Sequence, residues 1–392
     1  MPSVLIQNIG CLISGDVNAP LIEADSLYIE DGLFKAVGTS RSKADLVIDA
    51  RKNTVAPGLI DSHVHLSFGD WTPVQNCTNW ISNYMQCGIT RMVSAGELHL
   101  PGLPIDHPDP AVFRSLAVVT RTCYDNYRPA GVKVEAGTLL LVPGLCEDDF
   151  KTVAAAGSKL VKFIFYPYGD DPVEQANYMT WARRHGLKVK IHSGGVSRSG
   201  VSKLADAELI LSLNPDIAGH INGGPIPPSL ADVERIVAEG RCYLELAYCG
   251  NAGLAVKTLE WAAQMGQLHR VIMGSDTPSG TGVTPRAMLR IMAIAATAQG
   301  LKPEQAVCMA TGSAALAHGL DSGFIREGLP ADLVILGKIQ GSVGADAMQA
   351  LAAGNLLGVS MALIDGQLVI RDRSRQTPPP EVGAVIVSEK KV

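Results

Sequence analysis

From the N-terminus to about residue 57, the hydrophobic positions fall in short runs broken by turns: "VLIQNIGCLIS", "SLYIEDGLFKAVG" and "ADLVIDARKNTVAPG". Runs of this length predict β-strands, and Asp31-Gly32 inside the second predicts a hairpin turn. The same texture returns at the other end in "ADLVILG" and "VSMALIDGQLVIRD", where Asp365-Gly366 marks a second hairpin. A helical stretch from about Asp346 to Ala353 lies between those two segments. Neither end is large enough to bury a core of its own. The two are therefore expected to pack together as one small composite β domain, residues 1–57 plus 322–392, resembling a β-sandwich.

The middle of the chain has a different rhythm, in which apolar strand-like runs alternate with amphipathic or Ala-rich segments. Strands are predicted at Leu59 to His65, Ile89 to Ser94, Leu116 to Thr120, Leu160 to Tyr166, Val189 to His192, Ile217 to Ile221, Cys242 to Leu246 and Val271 to Ser275. Helices are predicted around Asn76 to Cys87, Pro172 to His185, Ala205 to Leu213, Leu230 to Glu239, Gly253 to Met265 and Pro285 to Ala298. Thr284 reads as the N-cap of the last, with Pro285 in its first turn. Eight β/α units across residues 58–321 match a (β/α)8 barrel of TIM type in count and length, so the class is α/β. A doubly wound sheet is the alternative, but it would carry a glycine-rich phosphate turn after the first strand, and "DSHVHLSFG" is not one.

Composition narrows the function. With 392 residues, 47% hydrophobic and 18% charged, the chain can bury a large core. A formal charge of −5 with scattered Lys and Arg offers no basic stripe for a phosphate backbone, so no nucleic-acid partner is expected. No apolar run reaches the roughly twenty residues of a membrane span, and the N-terminus lacks the pattern of a signal peptide, so a cytoplasmic protein without membrane attachment is expected. Eight cysteines at irregular spacing, without a CxxC pair, read mostly as buried, reduced packing residues.

The chemistry collects at the predicted strand ends. Residues two apart on a strand point to one side, so His63 and His65 in "GLIDSHVHLSFG" can aim two imidazoles at one point. They sit at the carboxyl end of the first barrel strand, where such barrels carry active sites, and paired imidazoles hold zinc or another divalent ion. His192 in "LKVKIHSGG", His220 in "PDIAGHINGGP" and Asp276 in "RVIMGSDTPSG" end later strands in order. Lys162 lies in the apolar run "SKLVKFIFYPYG", where burial would lower its pKa and favour the neutral amine. Such an amine can take up carbon dioxide as a carbamate, N6-carboxylysine, able to bridge two metal ions; the plain alternative is a lysine paired with a carboxylate or snorkelling outward.

The ordered set His63-x-His65, Lys162, His192, His220 and Asp276, with the flanks "TVAPGLIDSHVH" and "GFIREGLPADLVIL", resembles the amidohydrolase superfamily across nearly the whole chain. That resemblance implies a distorted (β/α)8 barrel, one or two divalent ions (zinc, with iron or manganese as alternatives) and a homotetramer. Within it, "RPAGVKV", "GHINGGP", "CGN" and "GSDTPSGTG" look most like the enamidase branch, which opens a cyclic enamide. The resemblance would put a bridging glutamate on the fourth strand. No acidic residue occurs between Lys159 and Gly169, and Lys162 is the natural replacement, with Tyr166 and Tyr168 facing substrate.

The expected activity is metal-dependent hydrolysis of a C–N bond in a small cyclic amide: a lactam, enamide, imide or ureide. Asp276 is the expected general base and acid, and His220 either ligates metal or donates to the carbonyl oxygen. Arg128 in "NYRPAGVKV" is a candidate for a substrate carboxylate, and Asn222 for the pocket lining. Cys249 is not read as a nucleophile. Glu97, His99, His107, His185, His269 and His318 are assigned to surface or ordinary packing. A mononuclear-metal deaminase on the same barrel, and a scaffold relative without chemistry, are the rival readings.

Overall fold

The computed structural model describes residues 2–73, 75–164, 171–195, 204–224, 226–278 and 282–390. The N-terminal segment forms β1 (Val4–Gln7), β2 (Cys11–Leu12), β3 (Leu27–Glu30), β4 (Leu33–Val37), β5 (Leu46–Asp49) and β6 (Thr54–Pro57). The middle carries β7 (Leu59–Val64), a short ribbon of β8 (Trp71–Thr72) and β9 (Cys77–Thr78), then β10 (Ile89–Ser94), β11 (Lys133–Glu135) and β12 (Leu139–Leu141). It continues through β13 (Leu160–Phe163), β14 (Lys188–His192), β15 (Ile217–Gly219), β16 (Tyr243–Ala247) and β17 (Val271–Gly274). The chain closes with β18 (Leu333–Lys338), β19 (Leu357–Ile364), β20 (Gln367–Ile370) and β21 (Val385–Glu389).

Both chain ends enter the same two five-stranded sheets, ordered β21-β5-β1-β3-β4 and β2-β6-β18-β19-β20. Val4, Ile6 and Ile48 of the first share a buried cluster with Val55, Leu333, Ile335 and Leu363 of the second, so the hydrophobic effect joins segments more than 270 residues apart in sequence. Both predicted hairpins are present: Asp31 (φ 52) and Gly32 (φ 77) join β3 to β4, and Asp365 (φ 48) and Gly366 (φ 72) join β19 to β20. Two successive positive φ angles give the type I′ turn that matches strand twist. Asp346 caps the helix Ala347–Ala352, as expected.

The central strands are all parallel. β7, β10 and β11 form a three-stranded sheet, and β12 to β17 a six-stranded sheet in chain order. Among the described residues the two meet through hydrogen bonds beyond the ladders. Asp276 N–H donates to His63 O (2.8 Å) and His65 N–H to Thr277 O (2.6 Å) on one side; on the other Thr138 Oγ1 donates to Ser94 O at 2.8 Å. Helices follow most strands, including Pro172–Arg184, Leu230–Glu239 and Ala252–Gln264, close to their expected positions.

Three expectations need correction. Leu116 to Thr120 is not a strand but part of the helix Pro110–Asn126, and the strands there are β11 and β12. Asp109 caps that helix, and its buried residues Phe113, Ala117, Thr120 and Tyr124 form one helical face. The run "LAVV" imitates a strand only when read alone. Thr284 also fails as an N-cap: the helix starts at Ala287 and is preceded by Arg286, with Ala287 N–H bonded to the Thr284 carbonyl in a turn. Of the eight cysteines, all free, Cys87, Cys242 and Cys308 are buried, while Cys123 and Cys146 are exposed, a smaller buried share than expected.

Candidate metal centre

The central strands alternate as pleating requires. Val161 and Phe163 of β13, Val189 and Ile191 of β14, and Leu244 and Leu246 of β16 belong to the large cluster shared with the helices. The opposite faces turn inward. Ile60, Leu160, Ile217 and Ile272 form a small separate cluster with Ala314, Ala315 and Ala317 of the helix Gly312–His318. One pleat further along these strands the interior turns polar, with Ser62, Lys162, Lys190 and Glu245 all buried.

β7 departs from simple alternation. Its register with β10 slips between Asp61 and Val64, and the neighbours Ser62 and His63 both reach the Glu245 carboxylate. Ser62 Oγ lies 2.7 Å from Oε1 and His63 Nδ1 lies 2.5 Å from Oε2. A bulge re-aims side chains in this way. Gly274 across the seam makes the turn of His63 feasible, because a Cβ there would lie 2.6 Å from His63 Cβ.

The predicted ligands then converge. His63 Nε2 is 2.9 Å from Lys162 Nζ and 3.4 Å from Asp276 Oδ1, while His65 Nε2 is 3.1 Å from the same Oδ1. One donor atom each from His63, His65 and Asp276 falls within a 4.8 Å span. The His220 ring lies 5.3 Å from that of His63 and 4.6 Å from that of His192. His192 Nε2 donates to Gly195 O at 2.8 Å, which leaves the lone pair on Nδ1. His220 (φ 36) and Asp276 (φ 57) hold left-handed backbone conformations that cost non-glycine residues about 1–3 kcal/mol, strain typical of functional sites.

Burial sets the protonation states. It lowers His63 to about 3 and His192 to about 4, holds His220 well below its ordinary value, and lowers Lys162 to about 8. These imidazoles are neutral and their lone pairs available. Burial alone would raise Asp276, but the His63 and His65 imidazoles beside it hold the carboxyl well below its usual range. Three neutral imidazoles, an ionised carboxylate and a lysine at one buried point suit a divalent cation. His220 Nδ1, buried without a hydrogen-bond partner among the described residues, is a further atom that a cation would satisfy.

Other sequence-based candidates lie differently. Asn222 is fully buried, and its amide serves Ala247 in both directions (Nδ2 to O 2.9 Å, N to Oδ1 2.8 Å), so it braces the loop after β15 against β16. The Arg128 guanidinium is half exposed and donates to Asp365 Oδ2 at 3.0 Å, on the second hairpin; an available carboxylate in the protein has taken the place expected for substrate. Tyr166 and Tyr168 lie outside the described residues. Of the residues assigned to surface or ordinary packing, Glu97 and His318 are buried and His99 is half-buried. Glu97 is 1% exposed on the loop whose Gly96 carbonyl accepts from His65 Nδ1, His99 packs edge-on to His65 with centroids 5.2 Å apart, and His318 is buried.

Sequence reasoning missed Glu245, Lys190 and Asp61, and the contact that Cys249 makes with Asp276. The Cys249 thiol donates to Asp276 Oδ2 at 3.0 Å. Asp61 accepts from Ser275 N–H at 2.8 Å and is pushed by burial up to about 7. Lys190 and Glu245 carried one available signal: charged residues inside otherwise apolar strands, the same signal that singled out Lys162.

Residues 254–369 match the model of the amidohydrolase family. The chain is 42% identical to the enamidase of Eubacterium barkeri over 391 residues, 99% of this chain and 100% of the relative. The chain belongs to the amidohydrolase superfamily. It is thus a hydrolase acting on carbon–nitrogen bonds. The crystal structure of an enamidase superposes with a TM-score of 0.91 at 42% identity, covering 98% of this chain and 100% of that one. A 5-methylthioadenosine/S-adenosylhomocysteine deaminase of Pyrococcus furiosus is 39% identical over 89 residues, 21% of this chain and 20% of the relative. A prolidase complexed with N-methylphosphonate-L-proline shares the fold alone, with a TM-score of 0.60 at 16% identity over 95% of this chain and 100% of that one.

Proposed function

We propose that this amidohydrolase opens a small cyclic amide in the manner of an enamidase, with His63, His65, Lys162, His192, His220 and Asp276 holding one or two divalent ions, zinc first among them. The observation that carries the reading is the buried meeting of His63, His65 and Asp276 beside Lys162, in a chain 42% identical to an enamidase over its whole length. When bound, such an ion lowers the pKa of water from 15.7 to about 7 and polarises the carbonyl under attack.

The protein's own groups do the rest. Asp276 accepts the proton of the attacking water and returns it to the leaving nitrogen as the tetrahedral carbon collapses, which breaks the C–N bond and opens the ring. The Cys249 thiol donates to its Oδ2 at 3.0 Å, so the carboxylate is oriented before substrate arrives. His220, with Nδ1 unpartnered, ligates the ion or polarises the substrate carbonyl.

Lys162, lowered to about 8 by burial, carries an appreciable neutral fraction at neutral pH. Its amine lone pair adds to carbon dioxide, forming an N–C bond as one C=O π pair moves onto oxygen and one proton leaves to solvent, to give a carbamate that would help hold the ions. With β11 and β12 read as two pieces of one strand, the parallel central strands are read as one distorted (β/α)8 barrel, 58–321, against a β-sandwich domain of 1–57 plus 322–392. The protein is taken to be a cytoplasmic homotetramer.

The test is metal analysis of the purified protein followed by hydrolysis assays over lactams, cyclic enamides, imides and cyclic ureides, with ring opening and ammonia release scored separately. Ring opening by a protein that loses activity on demetallation supports the reading. Ammonia release without ring opening would assign the site to deamination instead. The carbamate predicts a 44 Da increment on the metal-loaded chain under native mass spectrometry, from the mass of carbon dioxide; its absence together with unchanged metal content in Lys162→Ala removes that assignment.

A further inference from the structure

Beneath the converging ligands lies a buried charged layer that the proposed mechanism does not use. Glu245 of β16 and Lys190 of β14 are both fully buried, with Nζ 2.7 Å from Oε1. Lys190 Nζ also donates to the Ser62 carbonyl at 2.6 Å, and Ser62 Oγ lies 2.7 Å from the same Oε1. The other oxygen, Oε2, faces His63 Nδ1 at 2.5 Å and the His220 backbone N–H at 3.2 Å. The Glu245 main-chain carbonyl accepts from Ile221 N–H at 2.8 Å. One residue thus touches the strand that carries His63 and both sides of the strained backbone at His220.

The chemistry of this arrangement is directional. A carboxylate paired with an ammonium can only accept, so His63 must carry its proton on Nδ1 and present the Nε2 lone pair toward Lys162 and Asp276. With the proton on Nε2 instead, the ring would offer N–H where the donor cluster needs a lone pair. Gly219 supplies the space for the pair, since a Cβ there would lie 3.3 Å from both Glu245 Oε2 and Lys190 Cγ. We infer that Glu245, held by Lys190, is a positioning residue that fixes the Nδ1–H tautomer of His63 and the backbone of His220, and thereby sets how tightly the centre binds its metal. This rests on the metal reading above.

The pair makes the test sharp. In Glu245→Gln the Lys190 ammonium attracts the amide oxygen and turns the amide nitrogen toward His63 Nδ1, which forces the proton onto Nε2. Zn2+ affinity, measured by competition with a chromogenic chelator, is expected to fall about 10–100-fold, the usual effect of losing an outer partner of a ligating histidine. The 15N spectrum of the metal-free, histidine-labelled variant should show His63 protonated at Nε2. In Glu245→Gln/Lys190→Met the competing ammonium is gone, the amide oxygen can turn back to His63, and affinity should recover together with the Nδ1–H signal. Parental affinity in Glu245→Gln overturns the inference, as does weakened binding with the tautomer unchanged, which would mark Glu245 as packing alone. If the parent protein itself fails to bind Zn2+ tightly, the metal reading fails and the Glu245 assignment goes with it. A melting curve on each variant identifies any that is unfolded, and the tautomer signal of the remaining folded variant then decides.

Discussion

Glu97 offers a pH-dependent test of the environment around the candidate centre. It is 1% exposed, accepts from Ser94 Oγ at 2.7 Å, and is pushed by burial from 4.5 up to about 7, the hydrogen bonds offsetting only part of the desolvation. Because the folded-state value lies above the unfolded one, the folded chain holds this proton more tightly. The associated stability is complete below pH 4.5 and is lost as pH rises through about 7. The difference of about 2.5 pKa units corresponds to about 3 kcal/mol at pH 8. Glu97→Gln keeps the volume and stays neutral at every pH. It should therefore match the parent near pH 4.5, gain under about 1 kcal/mol at pH 5 and reach about 3 kcal/mol at pH 8. Urea denaturation of both chains at several pH values measures this directly. Asp61, also raised by burial, contributes to both chains and cancels in the difference. A difference between the two proteins that does not change with pH would refute the reasoning.

Other outcomes follow from single contacts. Asp276→Asn should retain the fold while turnover of a cyclic amide falls about 10²–10⁴-fold, read as kcat in the ring-opening assay; a smaller loss would remove Asp276 as the proton carrier. Lys133 Nζ, buried and bonded to Asp332 at 2.8 Å and Asp365 at 2.6 Å, ties β11 to the terminal sheets. Lys133→Met strands the buried Asp332 carboxylate and should cost about 3–5 kcal/mol in urea unfolding. Gly274→Ala drives a methyl into His63 and should cost about 1–3 kcal/mol, with a fall in bound metal on elemental analysis. Arg128→Ala removes only an exposed pair with Asp365, so KM should be unaltered and stability should fall by less than about 1 kcal/mol; a raised KM would restore Arg128 to the substrate site.

Local signals in the sequence were sufficient where structure is set by nearby residues. Asp31-Gly32 and Asp365-Gly366 specify hairpins because their backbone preference is intrinsic, and Asp346 specifies a helix start because its side chain reaches the next turn. The grouping of the candidate ligands was legible for a related reason. A strand presents every second residue to one side, and parallel strands in chain order bring their carboxyl ends to one rim, so His63, His65, Lys162, His192, His220 and Asp276 could be grouped without coordinates.

What the tertiary structure alone decided depends on partners remote in sequence. The segment 116–120 became helix because its buried face suits the neighbouring strands, overriding its strand-like composition. Arg128 went to Asp365 and Asn222 to Ala247 because those partners meet them only in the folded chain. The bulge at Ser62–His63 and the buried Glu245–Lys190 pair were invisible for the same reason, since register and ion pairing across strands are long-range choices that no local pattern encodes. The sequence supplied the chemical groups and their faces, and folding determined which of them touch.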